Sequence, residues 1–400
     1  MKAIVGGKVL TIIRGTIDGG VVLVDGGKIK AVGKDIPVPP EAEVIDARGC
    51  WVTPGFIDAH SHIGLFGEPH VWAHQDGNEM TNPITPHMRA IDAINPADPS
   101  FADVVAAGVT AVFTGPGSGN VIGGLGLAVK LAGRTVEEMA IPGTEALKMA
   151  LGENPKRVYG EGKKQVPSTR MGNAAVMREA LVSAQNYMRK LEQASRKEDA
   201  APPERDLRWE TVARALRREI RVRIHCHRAD DMMTAIRIAE EFGLLFSLEH
   251  ATEGYKIADV LAEKGIPCVV GPLLMSRSKM ELNEVTMKNV GILAKAGVKV
   301  AIQVDSASST RWLPVQTGLA VRYGMPEEDA FRAVTINPAE ILGVADRLGS
   351  LEPGKDADIA IFNGHPFCTF TQVEKVLIDG RVVYERPADL VSGHTGPCPC

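Results

Sequence analysis

The sequence predicts an α/β protein: a (β/α)8 TIM-like barrel with a small β-sandwich domain formed from both chain ends. Three observations carry this expectation. Apolar, strand-like runs alternate with helical stretches through the middle of the chain. Short strands with glycine-rich turns occupy its beginning, and the same texture returns after residue 345. At 400 residues the chain is long enough for a large barrel and a smaller companion.

Taken in order, residues 1–53 read as the N-terminal part of the sandwich. Within them "VVLVDGGKIKAVG" carries a hairpin signal at Asp25-Gly26-Gly27. Residues 54–344 read as the barrel. Its first strand closes at His60 in "PGFIDAHSHIG". The others are "GVTAVFT", a weaker "GLGLAVKLAG", "EALKMAL", "IRVRIHCH", "LLFSLEH", "IPCVVGP" and "VKVAIQVD". Helical segments such as "DMMTAIRIAEEFG" and "NEVTMKNVGILAKAG" lie between them, so the pattern predicts βα units around a parallel sheet. The strands are nearly continuous in apolar residues, as expected where both faces are covered.

Residues 64–96 predict a long loop after the first barrel strand. It carries His70, Trp72, His74, His87 and Arg89, and its position predicts a cap over the pocket. Residues 173–218 predict a helical excursion, with "EQASRKEDAAPPERD" as a solvated link. Residues 345–400 return to strands in "DADIAIFNG" and "TQVEKVLIDGRVVYE", the C-terminal part of the sandwich and a tail.

Composition narrows the function classes. Hydrophobic residues make up 44% and charged residues 24%, and the net charge is −4, which leaves no basic footprint for nucleic acid. No apolar run is long enough to span a bilayer, and the start lacks the parts of a signal peptide. A cytoplasmic protein acting on a small molecule, with no nucleic-acid or membrane partner and assembled as a homo-oligomer, is the expectation. The six cysteines are scattered, without zinc-ribbon or secreted-framework spacing, and the terminal "CPC" reads as a frayed tail.

The chemistry begins with His60 and His62. Residues i and i+2 of a strand share a face, so both imidazoles project together from a strand end and make a metal half-site. In a barrel of this kind functional groups sit at the C-terminal ends of strands. The polar residues closing the other apolar runs are Lys148, His225, His227, His250 and Asp305. Together they are a set of metal-ligand types, one or two to a strand end. His225 and His227 compete for one ligand position, with Cys226 turned away as a small buried filler.

"GFIDAHSHIG", "LEHATEG", "VDSAS" and "TINPAEILGVADRLGSLEPGKDADIAIFNG" resemble the amidohydrolase superfamily, in its imidazolonepropionase-like and prolidase-like branch. The resemblance covers nearly the whole chain. It implies that His60 and His62 are the first-strand metal pair, His225 the fifth-strand ligand, His250 the sixth-strand ligand and Asp305 the eighth-strand aspartate. It also implies that Lys148 reacts with carbon dioxide to give a carbamate bridging two metals, although "GENPKRVYG" departs from the usual Gly-Gly sequel. Physics is consistent with this, because a lysine among metal ligands must be neutral. Glu145 and Glu153 are the alternative carboxylates; without any of the three the site holds one metal.

The implied activity is hydrolysis of an amide or cyclic amide by water activated on one or two divalent metals, with zinc expected. Asp305 is the expected general base, and His250 or His227 the group that polarises the carbonyl oxygen. Ser276, Arg277, Ser278 and Lys279 follow the seventh strand, where they predict a holder for an acidic substrate group. The rivals are a mononuclear-metal deaminase, an imidazolone-type ring hydrolase, and a non-catalytic scaffold of the same fold.

Overall fold

The computed structural model describes residues 1–196 and 203–387; Cys398 and Cys400 of the terminal "CPC" lie outside them. Two sheets of eight strands organise the chain. The first is built from both ends: β1 (Lys2–Leu10), β2 (Thr16–Asp25), β3 (Lys28–Gly33), β4 (Glu43–Asp46) and β5 (Trp51–Pro54) come from the start. The barrel strands are β6 (Phe56–Ser61), β7 (Val109–Thr114), β8 (Ile122–Lys130), β9 (Ala146–Ala150), β10 (Arg221–Cys226), β11 (Phe246–His250), β12 (Cys268–Val270) and β13 (Val300–Ile302). The first sheet is then completed by β14 (Ile359–Phe362), β15 (Val373–Ile378) and β16 (Arg381–Glu385).

In the first sheet β14 pairs antiparallel with β5, which joins the two chain ends. The Asp25-Gly26-Gly27 signal forms the β2–β3 turn. Gly26 and Gly27 both take positive φ, 55° and 79°, as a two-residue hairpin turn requires. Ile4, Val22, Ile29, Ile359 and Leu377 meet in one buried cluster, so strands from both ends share a core.

The barrel strands are neighbours in chain order, and the ring is nearly closed. One strand departs from the expected all-parallel arrangement: β8 runs antiparallel to both β7 and β9. The cause is the connection. Residues 115–121 are too few for the crossover of a dozen or more residues that a parallel neighbour needs, so the chain turns straight back. At the seam between β13 and β6 the Asp58 carboxylate accepts Val304 N–H at 3.2 Å, and Asp305 N–H reaches His60 O at 3.3 Å.

Gly55 links the two sheets. A Cβ there would fall 2.1 Å from Thr110 Oγ1, so the step from β5 to β6 needs glycine in the "PGF" motif. Lys130 pins the sheets together from the end of β8. Its Nζ lies 2.8 Å from Asp356, 3.0 Å from Asp358 and 2.6 Å from Asp379. No helix of the described residues is long and apolar enough to cross a membrane.

The barrel interior differs from an all-apolar core. Lys148, Arg223 and Glu249 are buried on β9, β10 and β11; Lys148 and Arg223 pair in register two residues before His225, and Glu249 pairs with His225. Buried charges of this kind persist only when paired and hydrogen-bonded.

Candidate metal centre

Two groups of ligand atoms converge at the C-terminal ends of the strands: His60, His62 and Asp305, and His225, His227 and His250, each group within 4.8 Å. The groups adjoin. Asp305 Oδ1 lies 3.2 Å from His60 Nε2, 3.3 Å from His62 Nε2 and 3.9 Å from His250 Nε2. Lys148 Nζ is 3.2 Å from His60 Nε2. His60, His62, Lys148, His225, His227, His250 and Asp305 are therefore brought to one place.

The backbone holds two of them in costly conformations. His250 and Asp305 have φ of 68° and 70°, a left-handed region that non-glycine residues seldom occupy and that clusters at functional sites. Asp305 is not a helix cap, since the turn that follows, Ser308–Trp312, has Ala307 at that position.

Four imidazoles are anchored from behind through Nδ1. His60 meets Glu249 Oε2 at 2.7 Å, His62 meets Gly115 O at 2.7 Å, His250 meets Gly271 O at 2.9 Å, and His227 meets Thr252 Oγ1 at 2.7 Å. Such contacts fix ring orientation and leave Nε2 facing the centre. His225 is the exception: its Nδ1 is buried with no hydrogen-bond partner. A buried ring nitrogen without a partner, among neutral imidazoles and a carboxylate, fits a divalent cation.

The protonation states agree with that fit. Burial holds His62, His225, His227 and His250 below the usual histidine range, His250 at about 3, so these rings are neutral. Burial also lowers Lys148 to about 8. For Glu249 burial acts upward, but the Arg223 charge and the His60 hydrogen bond outweigh it and leave the carboxyl at about 2. Asp305 is likewise held well below the carboxylate range: burial opposes this, and the surrounding imidazoles overcome it.

Several expectations are corrected. Glu145 precedes β9, at the opposite end of the strand, and pairs with Arg214 at 2.5 Å. Neither it nor Glu153 joins the converging ligand atoms. A cavity of about 500 Å³ opens on the centre and is lined by His62, His225, His227 and Asp305. From the 64–96 loop it takes Phe66 and Asn78, not the histidines, Trp72 or Arg89. Trp72 is 91% exposed, and Arg89 pairs with Asp92 at 2.7 Å. Lys279 reaches the cavity, but Glu281 neutralises it at 2.6 Å; Arg277 turns away to Asn283 O.

Sequence reasoning passed over Glu249, Arg223, Asp58 and Asn154. Asn154 Nδ2 donates to Ser118 Oγ at 2.8 Å and lies 3.4 Å from His225 Nε2, and its Oδ1 accepts from Lys279 at 3.0 Å. A signal existed for the first two. Charges at alternate positions of otherwise apolar strands, as in "RVRIHCH" and "SLEH", must find partners inside the barrel.

A profile described as the Amidohydrolase family matches residues 51–383. The chain belongs to this family. It is a hydrolase acting on carbon–nitrogen bonds. The crystal structure of an amidohydrolase from Thermotoga maritima MSB8 aligns with 48% identity and a TM-score of 0.92, covering 96% of this chain and 100% of that one. The amidohydrolase tasK of Hapsidospora irregularis is 30% identical over 402 residues; the match spans 94% of this chain and only 41% of that longer protein. Imidazolonepropionase of Geobacillus kaustophilus is 27% identical over 393 residues, with 87% and 85% covered. A prolidase crystallised with N-methylphosphonate-L-proline shares the fold, with a TM-score of 0.58 at 19% identity over 96% of this chain and 100% of that one.

Proposed function

We propose that this amidohydrolase cleaves an amide or cyclic-amide bond with metal assistance, using Asp305 as general base. The observation that carries the reading is the meeting of both ligand groups at Asp305, with Lys148 beside His60. His60, His62 and Asp305 would hold one metal. His225, through its unpartnered Nδ1, and His250 would hold a second, with a Lys148 carbamate between them. Zinc suits so imidazole-rich a donor set. The metal supplies a lowered water pKa, near 7, and polarisation of the substrate carbonyl.

The chain's own residues do the rest. Asp305, ionised at neutral pH, accepts a proton on its carboxylate and delivers it to the leaving nitrogen. His227 reaches the cavity and has its ring held in place by Thr252, which suits it to bond the substrate oxygen. Phe66, Met275 and Leu282 offer apolar contact, and Asn78, Ser118 and Asn154 offer neutral polar contact. With Lys279 neutralised by Glu281, the cavity wall suits a substrate without a strong net charge.

The test is to load purified protein with zinc, count metal per chain by elemental analysis, and assay uncharged N-acyl amides and cyclic amides for amine release or ring opening. Two metals per chain and hydrolysis are expected. One metal per chain with ammonia released from an amidine would replace this reading by deamination.

A further inference from the structure

The N-terminal mouth of the barrel, opposite the metal centre, holds a second cavity of about 230 Å³. Residues 221, 223 and 225 alternate along β10 and share its inner face. His225 stands at the upper end and Arg223 below it, beside Glu249, with Arg221 at the floor, where it lines the lower cavity together with Arg223 and Arg218.

The charges around this cavity do not cancel. Arg223 is almost fully buried. It gives Nη2 to Glu249 and to Ala59 O, but its Nε is buried without a hydrogen-bond partner. Arg221 is half-buried, and its guanidinium has no hydrogen bond or ion pair among the described residues. Arg218 is exposed and gives only Nε, to Gly243 O at 2.7 Å. The wall's two acids are engaged by other arginines: Glu145 pairs with Arg214 at 2.5 Å, and Glu219 lies 3.6 Å from Arg217. Gly343 leaves the room. A Cβ there would stand 3.8 Å from Arg221 Nε, on a backbone with φ of 78°. Burial and the nearby Arg223 both disfavour the Arg221 cation and lower its pKa.

We propose that this cavity is an anion site that takes a phosphoryl dianion, as inorganic phosphate or as the head group of a phosphomonoester, between Arg221, Arg223 and Arg218. Guanidinium forks match the oxygens of phosphate, and charge-assisted bonds of this kind are the strong ones. A dianion neutralises two unpaired guanidiniums, which a monocarboxylate cannot do. The volume equals about eight waters at their share of roughly 30 Å³ each, enough for phosphate with a small substituent. None of the three arginines lines the catalytic cavity, and Arg223, which backs His60 through Glu249, is left unchanged in the variants tested.

The test is isothermal titration of the full-length, metal-loaded protein at low ionic strength with inorganic phosphate, then glycerol phosphate, with succinate for comparison. One saturable site per chain is expected. Arg221→Gln should weaken phosphate binding at least about tenfold and leave metal content and turnover unchanged. Arg218→Gln, at an exposed position, should weaken it too. Binding of phosphate alone identifies the free ion as ligand, and binding of both phosphates identifies the head group. The proposal is overturned by the absence of saturable heat below about 1 mM, by equal affinity in both variants, which would place phosphate at the metal centre, or by succinate binding as tightly as phosphate.

Discussion

Glu249 Oε2 lies 2.7 Å from His60 Nδ1, behind the ring whose Nε2 faces Lys148 and Asp305. The same oxygen accepts from Arg223 at 2.9 Å, so a buried ion pair backs the candidate ligand. Glu249→Gln should lower metal affinity about 10–100-fold. It should also cost about 3–5 kcal/mol of stability, because Arg223 is left charged and unpaired. Chelator competition and melting temperature measure the two effects separately. A folded variant with undiminished metal affinity would reduce Glu249 to a purely structural role.

Asp305→Asn should lower turnover about 10²–10⁴-fold, because an amide cannot accept the proton. Melting temperature and most of the metal should survive, since the histidines remain. The check is kcat on any hydrolysed amide, alongside metal content. Wild-type turnover would remove Asp305 from proton transfer.

Lys148, buried and lowered to about 8, is a neutral amine in about a tenth of molecules at pH 7, far more often than an ordinary lysine. That is the form that adds carbon dioxide. A density map should show three extra atoms on Nζ, bridging two metals. Lys148→Ala should be inactive and regain part of its activity with metal and a short carboxylic acid. A bare ammonium in a metal-loaded crystal contradicts the carbamate.

Lys130 joins β8 to the sheet from the chain ends, and its loss should depend on pH. Burial raises Asp358 to about 6, with Lys130 opposing that rise. Its charged form therefore weighs against the fold and relies on Lys130 above pH 6. Below that pH the carboxyl is largely protonated and relies on it less. Lys130→Met should cost about 3–5 kcal/mol at pH 8 and less at pH 5. Denaturant melts at the two pH values decide it, and an equal loss at both would show that Asp358 does not drive the effect.

Much of the molecule could be read along the chain, because the relevant rules are local. Alternation of apolar runs and helices is enough for the barrel, and an Asp-Gly-Gly turn is enough for the β2–β3 hairpin. Residues that end apolar strands must gather at one mouth, which brings His60, His62, Lys148, His225, His250 and Asp305 together. Other features depend on distance across the fold. The reversed β8 follows from a connection too short for a crossover. His225 and His227 are equivalent in sequence and differ in their surroundings: Thr252 stands behind His227, and His225 Nδ1 has no hydrogen-bond partner among the described residues. Glu145 adjoins β9 in sequence yet faces the wrong end of the barrel. Arg221, two residues from Arg223, lacks an acid only because Glu145 and Glu219 are held by other arginines. Charge pairing is a property of neighbours in space, and along one strand those neighbours cannot be seen.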